Sequence, residues 1–332
     1  MIDSALNEVL SLLGIAVAAL LMWAALAPFE ALGWWAGWFG DEIYIEEPAP
    51  EGPVRARRPN PQAYIVFLSG ISRVSGETFS RREQNFLRRL AETLPEAVVI
   101  DDIFPYAVNN LPLTGQRFFA GLWRWALRRK FSDNWLERLA GYLINVRNIW
   151  QVAISIDKRY GPIYNQAMAH VILHGLARFG HDPAQKTPIF IIGYSGAGQI
   201  AVGAVPYLKE LVAGPVYVIS LGGIFGSDPG LLAADHIYHI YGTRDRPQRL
   251  CAWLFPGRWP LLWYSDWNRA QRLGRVTFLC TGPMSHTGPT GYLTTSRTLP
   301  DGTPYLERTV QMVAEIVRSV IAQSEAAPSV DA

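Results

Sequence analysis

The first 54 residues contain no lysine and no arginine, although they hold Asp3, Glu8, Glu30, Asp41, Glu42, Glu46, Glu47 and Glu51. A secretory signal peptide begins with a basic flank, so the acidic start argues against a cleaved leader. The whole chain of 332 residues has only two cysteines, Cys251 and Cys280. Two cannot build a disulfide framework, and their spacing is not that of metal ligands. Charged residues make up 17% of the chain and nearly cancel, leaving a formal charge of +2. That balance offers nothing to the phosphates of a nucleic acid. No internal repeat and no Walker motif occurs, and Gly193, Gly196 and Gly198 have the wrong spacing for a dinucleotide fingerprint. His170 and His174 lie four apart on a predicted helix, but no glutamate follows His170 as a zincin needs. His236 and His239 fall at odd spacing in a predicted strand, which sends them to opposite faces. No metal and no cofactor is expected.

Long apolar runs, by contrast, are present. Residues 9–29 carry no charge and as a helix would span roughly 30 Å, the thickness of a bilayer's hydrocarbon core. A single-pass transmembrane anchor is expected there, with Trp34, Trp35 and Trp38 following at headgroup depth. The anchor and Trp segment occupy 1–40, and the acidic, Pro-rich stretch 41–61 reads as a linker.

From residue 62 to 323 the pattern is that of a folded α/β domain. "AYIVFLS" is a buried strand. Ser80 with Glu83 forms a capping box that starts a helix, Pro95 ends it, and "EAVVIDD" is the next strand. Strand, helix, strand implies a parallel pair. Asp101 and Asp102 end that strand and read as structural. Residues 112–158 interrupt the alternation with two aromatic helical segments, the second starting at Asn134 with Glu137 three residues on, and are expected to form an inserted cap. A helix between Pro162 and Gly180 follows, then the strand "PIFII". A further helix lies beyond Ser195, which Pro206 is expected to end or kink. "VYVIS", "HIYHIYG" and "RVTFLC" are later strands, and "YLERTVQMVAEIVRSVIAQ" is a closing helix. The tail 324–332 is expected to be disordered.

The stretch "IIGYSGAGQ" places Ser195 on the turn from strand to helix. A serine in so sharp a turn needs small neighbours, and Gly193 and Ala197 flank it at two residues' distance. Gly196 adds an unhindered N–H at a helix N-terminus, where the dipole favours negative charge. Taken alone, the stretch fits an ordinary glycine-rich turn as well. Chain order separates the two readings. Asp245 follows the strand "HIYHIYG" and His286 follows "RVTFLC", so serine, acid and histidine come in the order and at the strand ends that a serine hydrolase of this design requires. Asp245 could instead be a helix cap or pair with Arg244 or Arg246, and His286 could be a loop residue. Asp228 and Asp235 are the competing acids, Asp228 after "VYVIS" and Asp235 at the wrong end of its strand.

With "GYSGA" as a nucleophile elbow and Ser195, Asp245 and His286 in that order, the chain resembles the α/β-hydrolase superfamily of serine esterases and lipases over about Ala63 to Gln323. The resemblance implies a mostly parallel sheet flanked by helices on both faces. It also implies an oxyanion hole made by the backbone of Gly196 and a second donor after the domain's first strand, Ile71 or Gly70. Residues 117–147 hold seven basic residues, among them Arg117, Arg138 and Arg147, against Asp133 and Glu137, interleaved with Phe118, Phe119, Trp123, Trp125 and Trp135. Such a mixture suits an anionic lipid interface, although bland packing explains aromatics equally well. The expected activity is hydrolysis of an ester of a lipid or other apolar acyl group. The alternative is a silent hydrolase-fold protein that binds a ligand or partner at the membrane. Arg55, Arg57 and Arg58 follow the apolar run, so the positive-inside rule puts the domain on the cytoplasmic side. No nucleic acid is expected as a partner.

Overall fold

The computed structural model describes residues 2–38, 60–75, 79–115, 120–130 and 135–326. Its centre is a parallel sheet of six strands: β1 (Ala63–Leu68), β2 (Ala97–Ile100), β3 (Ile189–Tyr194), β4 (Val216–Leu221), β5 (His236–Tyr241) and β6 (Val276–Cys280). They lie in the order β2-β1-β3-β4-β5-β6, and every pairing is parallel. The uninterrupted apolar run of β1 is explained by burial on both faces, as parallel sheets covered by helices demand. Its alternate residues feed two cores. Tyr64, Val66 and Leu68 join one, with Ile191 and the helices α6 (Gly161–Arg178) and α7 (Ala197–Lys209); Ala63, Ile65 and Phe67 join the other, with α3 (Arg81–Thr93) and α11 (Tyr305–Ala326).

Strand order fixes where a site can form. From β1 the chain moves outward to β2 and then returns across β1 to β3, so the order reverses between β1 and β3. Loops leaving the carboxyl ends of two such strands diverge and open a crevice. Ser69, Gly70 and Ile71 follow β1 there, and Ser195 follows β3.

The interruption at 112–158 contains two helices, α4 (Ala120–Lys130) and α5 (Trp135–Ile156). Helix α5 runs six residues past the expected Trp150 and packs against α6 and α7. Asn134 lies outside the described residues, as do Arg117, Phe118, Phe119 and Asp133. Arg147 does not join a lipid-facing surface: it is buried, donates to the carbonyl of Tyr106 and pairs with Glu30.

Pro206 does not end its helix. α7 continues to Lys209, because the proline falls in the last turn and removes only one amide donor there. The closing helix reaches Ala326, three residues beyond Gln323 into the stretch expected to be disordered; residues 327–332 lie outside the described ones, as does most of the expected linker 41–61. Three short helices also occur, α8 (Gly230–Ala233), α9 (Arg246–Leu254) and α10 (Asp266–Arg272), of which the sequence hints only at α9, through Asp245 as a possible cap.

At the N-terminus the apolar run is not one helix over 9–29. α1 covers Ile2–Leu26, a turn follows at Ala27–Pro28, and α2 covers Phe29–Trp35. Proline has no amide hydrogen to continue α1 and a fixed φ suited to starting α2. Among the described residues one stretch, Val17–Trp35, is long and apolar enough to cross a membrane. Trp34 is not a free aromatic: its ring lies 6.0 Å from that of His170 on α6. Trp35 and Trp38 remain exposed.

The capping box forms as spelled out in sequence, with the Glu83 amide donating to Ser80 Oγ at 3.3 Å and the Ser80 amide to Glu83 Oε2 at 3.0 Å. Replacing Ser80 by alanine should lower unfolding stability by about 1 kcal/mol, read as a reduced urea midpoint at unchanged slope.

Candidate active site

Ser195 has φ +58°, a left-handed conformation that costs a non-glycine residue roughly 1–3 kcal/mol and persists only where the surroundings enforce it. The enforcement is local. Its amide donates to the carbonyl of Leu221 at 3.1 Å, and its carbonyl accepts from Gly198 at 3.0 Å and Ile224 at 2.9 Å. A side chain at Gly193 would meet the Gly198 Cα at 2.7 Å and the Ala197 carbonyl at 2.8 Å. β3 and α7 can therefore approach closely only without a β-carbon at 193. Ala197, small and fully buried, is tolerated.

The turn presents the hydroxyl to a histidine. Ser195 Oγ lies 2.7 Å from His286 Nε2, and His286 Nδ1 lies 3.0 and 2.9 Å from the two oxygens of Asp245. A carboxylate only accepts, so the ring proton resides on Nδ1 and Nε2 is left as the acceptor for the serine hydroxyl. Asp245 and His286 come from loops after neighbouring strands, held together by Thr243 and Arg244 donating to the carbonyls of Gly282 and Met284.

Asp245 is fully buried, and two further donors besides His286 meet it. The Gln248 amide reaches Oδ1 at 2.9 Å, so Asp245 is also the N-cap of α9. The helix-cap reading and the histidine-partner reading describe the same carboxylate. The hydroxyl of Tyr292 donates to Oδ2 at 2.6 Å while accepting from the Gly242 amide at 2.8 Å. Burial, then the adjacent carboxylate, raise the Tyr292 pKa, so the phenol stays a donor. The competing acids are occupied elsewhere: Asp228 accepts from Gln199 and from the Gly230 amide, and Asp235 from Lys209 and the Val216 amide.

The residues named for anion binding face the same crevice. A β-carbon on Gly70 would stand 3.6 Å from Ser195 Cβ, and one on Gly196 would stand 2.9 Å from Ile71 and 3.1 Å from Val152 of α5. Gly196 caps α7, where backbone N–H groups lack intrahelical acceptors and the dipole is positive. The β1 loop is clamped by Tyr106, whose hydroxyl donates to the Ser69 carbonyl at 2.9 Å, and by Asn148, whose amide donates to the Ile71 carbonyl at 2.7 Å.

Tyr292, Tyr194, Tyr106 and Asn148 were not singled out in the sequence. Tyr194 donates to the His286 carbonyl at 2.9 Å and stacks on its ring. These residues lie far from their targets in the chain, in unremarkable contexts. Gln248 had a readable signal, because Asp-x-Pro-Gln at 245–248 spells a helix start. Among the described residues no cluster of histidine, cysteine and carboxylate could hold a metal ion. His170 rests on Trp34, and His236 bonds Thr277.

His239 is buried beneath the site, where its Nδ1 meets Ser220 Oγ at 3.0 Å and its Nε2 accepts from Gln248 at 2.8 Å. Burial, reinforced by Arg258, pushes its pKa down to about 3 from 6.5. The folded ring stays neutral, so the unfolded chain gains a proton first as pH falls below 6.5. Stability from this group is complete above that pH and is lost towards 3, at about 1 kcal/mol per pH unit. The urea midpoint should fall more steeply between pH 7 and pH 5 in the native protein than in His239→Gln; equal slopes would refute the assignment. No protein-family model matches the chain, and no curated protein matches it either.

Proposed function

We propose that this chain is a membrane-anchored serine hydrolase of the α/β-hydrolase type, cleaving an ester of a lipid or other apolar acyl group. One observation carries the reading: a serine held at φ +58° at the sheet's switch point, with His286 2.7 Å from its hydroxyl and a buried Asp245 behind the imidazole. Neither strain nor a buried carboxylate is needed for a simple turn, and their conjunction is what nucleophilic catalysis uses. The strand order, with serine after β3, acid after β5 and histidine after β6, supports the superfamily resemblance.

In this reading His286 Nε2 takes the hydroxyl proton as Ser195 Oγ bonds to the ester carbonyl carbon. The carbonyl oxygen becomes an oxyanion facing the backbone N–H groups of Gly196 and Ile71. Collapse breaks the bond to the leaving alcohol, which receives the proton from His286. Water then attacks the acyl-serine with His286 again as base, releasing the acid and restoring Ser195. Asp245 keeps the imidazole in the productive tautomer and stabilises its cation, and Tyr292 and the Gln248 amide hold Asp245. In the same reading α4 and α5 form the cap over the site, and the apolar helix α1 anchors the domain on the cytoplasmic side of a bilayer.

A fluorophosphonate probe should label the native chain and not Ser195→Ala. Asp245→Asn should lower turnover of a short-chain ester by about 10⁴ at neutral pH, whereas Asp228→Asn should stay within about tenfold, a 1.4 kcal/mol change in barrier. Undiminished labelling of Ser195→Ala would leave a silent binding protein as the correct description.

A further inference from the structure

The segment linking α9 to α10 is an apolar surface built to leave water. Leu261 is 82% exposed, Trp253 70% and Trp263 67%, with Leu254, Trp259 and Tyr264 exposed beside them. Scattered single exposures are ordinary, but six large apolar side chains within residues 253–264 make a contiguous patch.

Two further features say what covers it. First, the carbonyls of the three exposed tryptophans and of Leu262 between them find protein donors. Asn268 donates to Trp259 at 2.8 Å and Leu262 at 3.0 Å, Arg272 to Trp263 at 2.6 Å, and the Trp259 indole to Trp253 at 3.0 Å. Below them Arg258 lies over Trp267, 3.9 Å from the ring, and fixes the turn to the core. Backbone satisfied from within is the condition for entering lipid, where water offers no partner. Second, the rim is cationic. Residues 244–272 hold six arginines and only two acids, Asp245 and Asp266. Asp245 is buried on His286, and Asp266 faces Arg269 at 3.5 Å. Arg272 lies over Trp263, 5.9 Å from its ring, and Arg244, Arg246 and Arg249, at the start of the helix that ends in Trp253 and Leu254, are exposed.

We propose that residues 253–264 form a second membrane contact, an interfacial platform whose Trp, Tyr and Leu side chains enter the headgroup layer of an anionic bilayer while the surrounding arginines meet lipid phosphates. Tryptophan and tyrosine prefer that depth, and arginine adds attraction to anionic lipid. The proposal rests on the membrane reading of the N-terminal helix. Phe255, which opens this segment, packs 3.5 Å from where a Gly226 β-carbon would stand, and Ile156 at the end of α5 packs 3.8 Å from the same point. The platform therefore adjoins the C-terminal edge of the sheet, where the crevice opens.

The test uses the full chain with Cys280→Ser, since Cys251 is buried, and a single introduced cysteine carrying the fluorophore NBD. The label is placed at Leu261→Cys, at Leu21→Cys in α1, or at Arg88→Cys on the opposite layer. The proteins are reconstituted in phosphatidylcholine vesicles with and without phosphatidylglycerol. The label at 261 should shift to the blue and be quenched by doxyl-labelled lipid when phosphatidylglycerol is present, retreat in high salt, and contrast with an unresponsive label at 88. Quenching at 21 with 261 behaving like 88 would overturn the platform and leave the anchor intact. Absence of quenching at both would overturn the membrane reading itself. A blue shift at 261 that persists in detergent without lipid quenching would mean that a second copy covers the patch, and would also overturn the proposal.

Discussion

One buried carboxylate organises the functional edge of this protein. Asp245 accepts from His286, from Tyr292 and from the amide that begins α9, and so joins the loops after β5 and β6 to the segment that leads into α11. Its ionised form would be costly in so dry a place without donors on several sides. The donors are themselves fixed: Tyr292 by the Gly242 amide, Gln248 by His239, and His286 by Tyr194. A short, continuous series of hydrogen bonds joins each of these residues to the serine hydroxyl.

Much of this was legible in the chain because the relevant signals are local. β1 reads as a buried strand from six consecutive apolar residues, α3 starts where Ser80 and Glu83 say it should, and the turn at Ser195 needs a glycine two residues before it. The order of Ser195, Asp245 and His286 along the chain was also readable. Packing partners were not. That Tyr292 meets Asp245, or Asn148 the Ile71 carbonyl, depends on contacts between residues 47 and 77 positions apart, and no periodicity encodes them. Arg147 shows the limit from the other side. It closes a stretch, 117–147, rich in basic and aromatic residues, yet tertiary structure gives it Glu30 and buries it.

The break in the N-terminal apolar run illustrates a further limit. Hydropathy averages over a window and does not register Pro28, whereas backbone chemistry does. After the turn, α2 packs against the domain: Ala31 and Gly33 are buried and Trp34 lies on His170. Trp23 of α1 stacks on Trp123 of α4 at 6.1 Å.

The pairing of Glu30 with Arg147 ties these two regions together physically. Arg147 sits on α5 five residues before Val152, the side chain that packs over Gly196 at the elbow. Removing α1 and α2 would take the carboxylate from a buried guanidinium, leaving it the Tyr106 carbonyl and Asn148 Oδ1, and would bare Trp123 and the flank of α6. The boundary between the apolar N-terminal helices and the α/β domain is thus not a seam. Exchange or loss of these helices would have to be accompanied by a new partner for Arg147 or by an uncharged residue in its place.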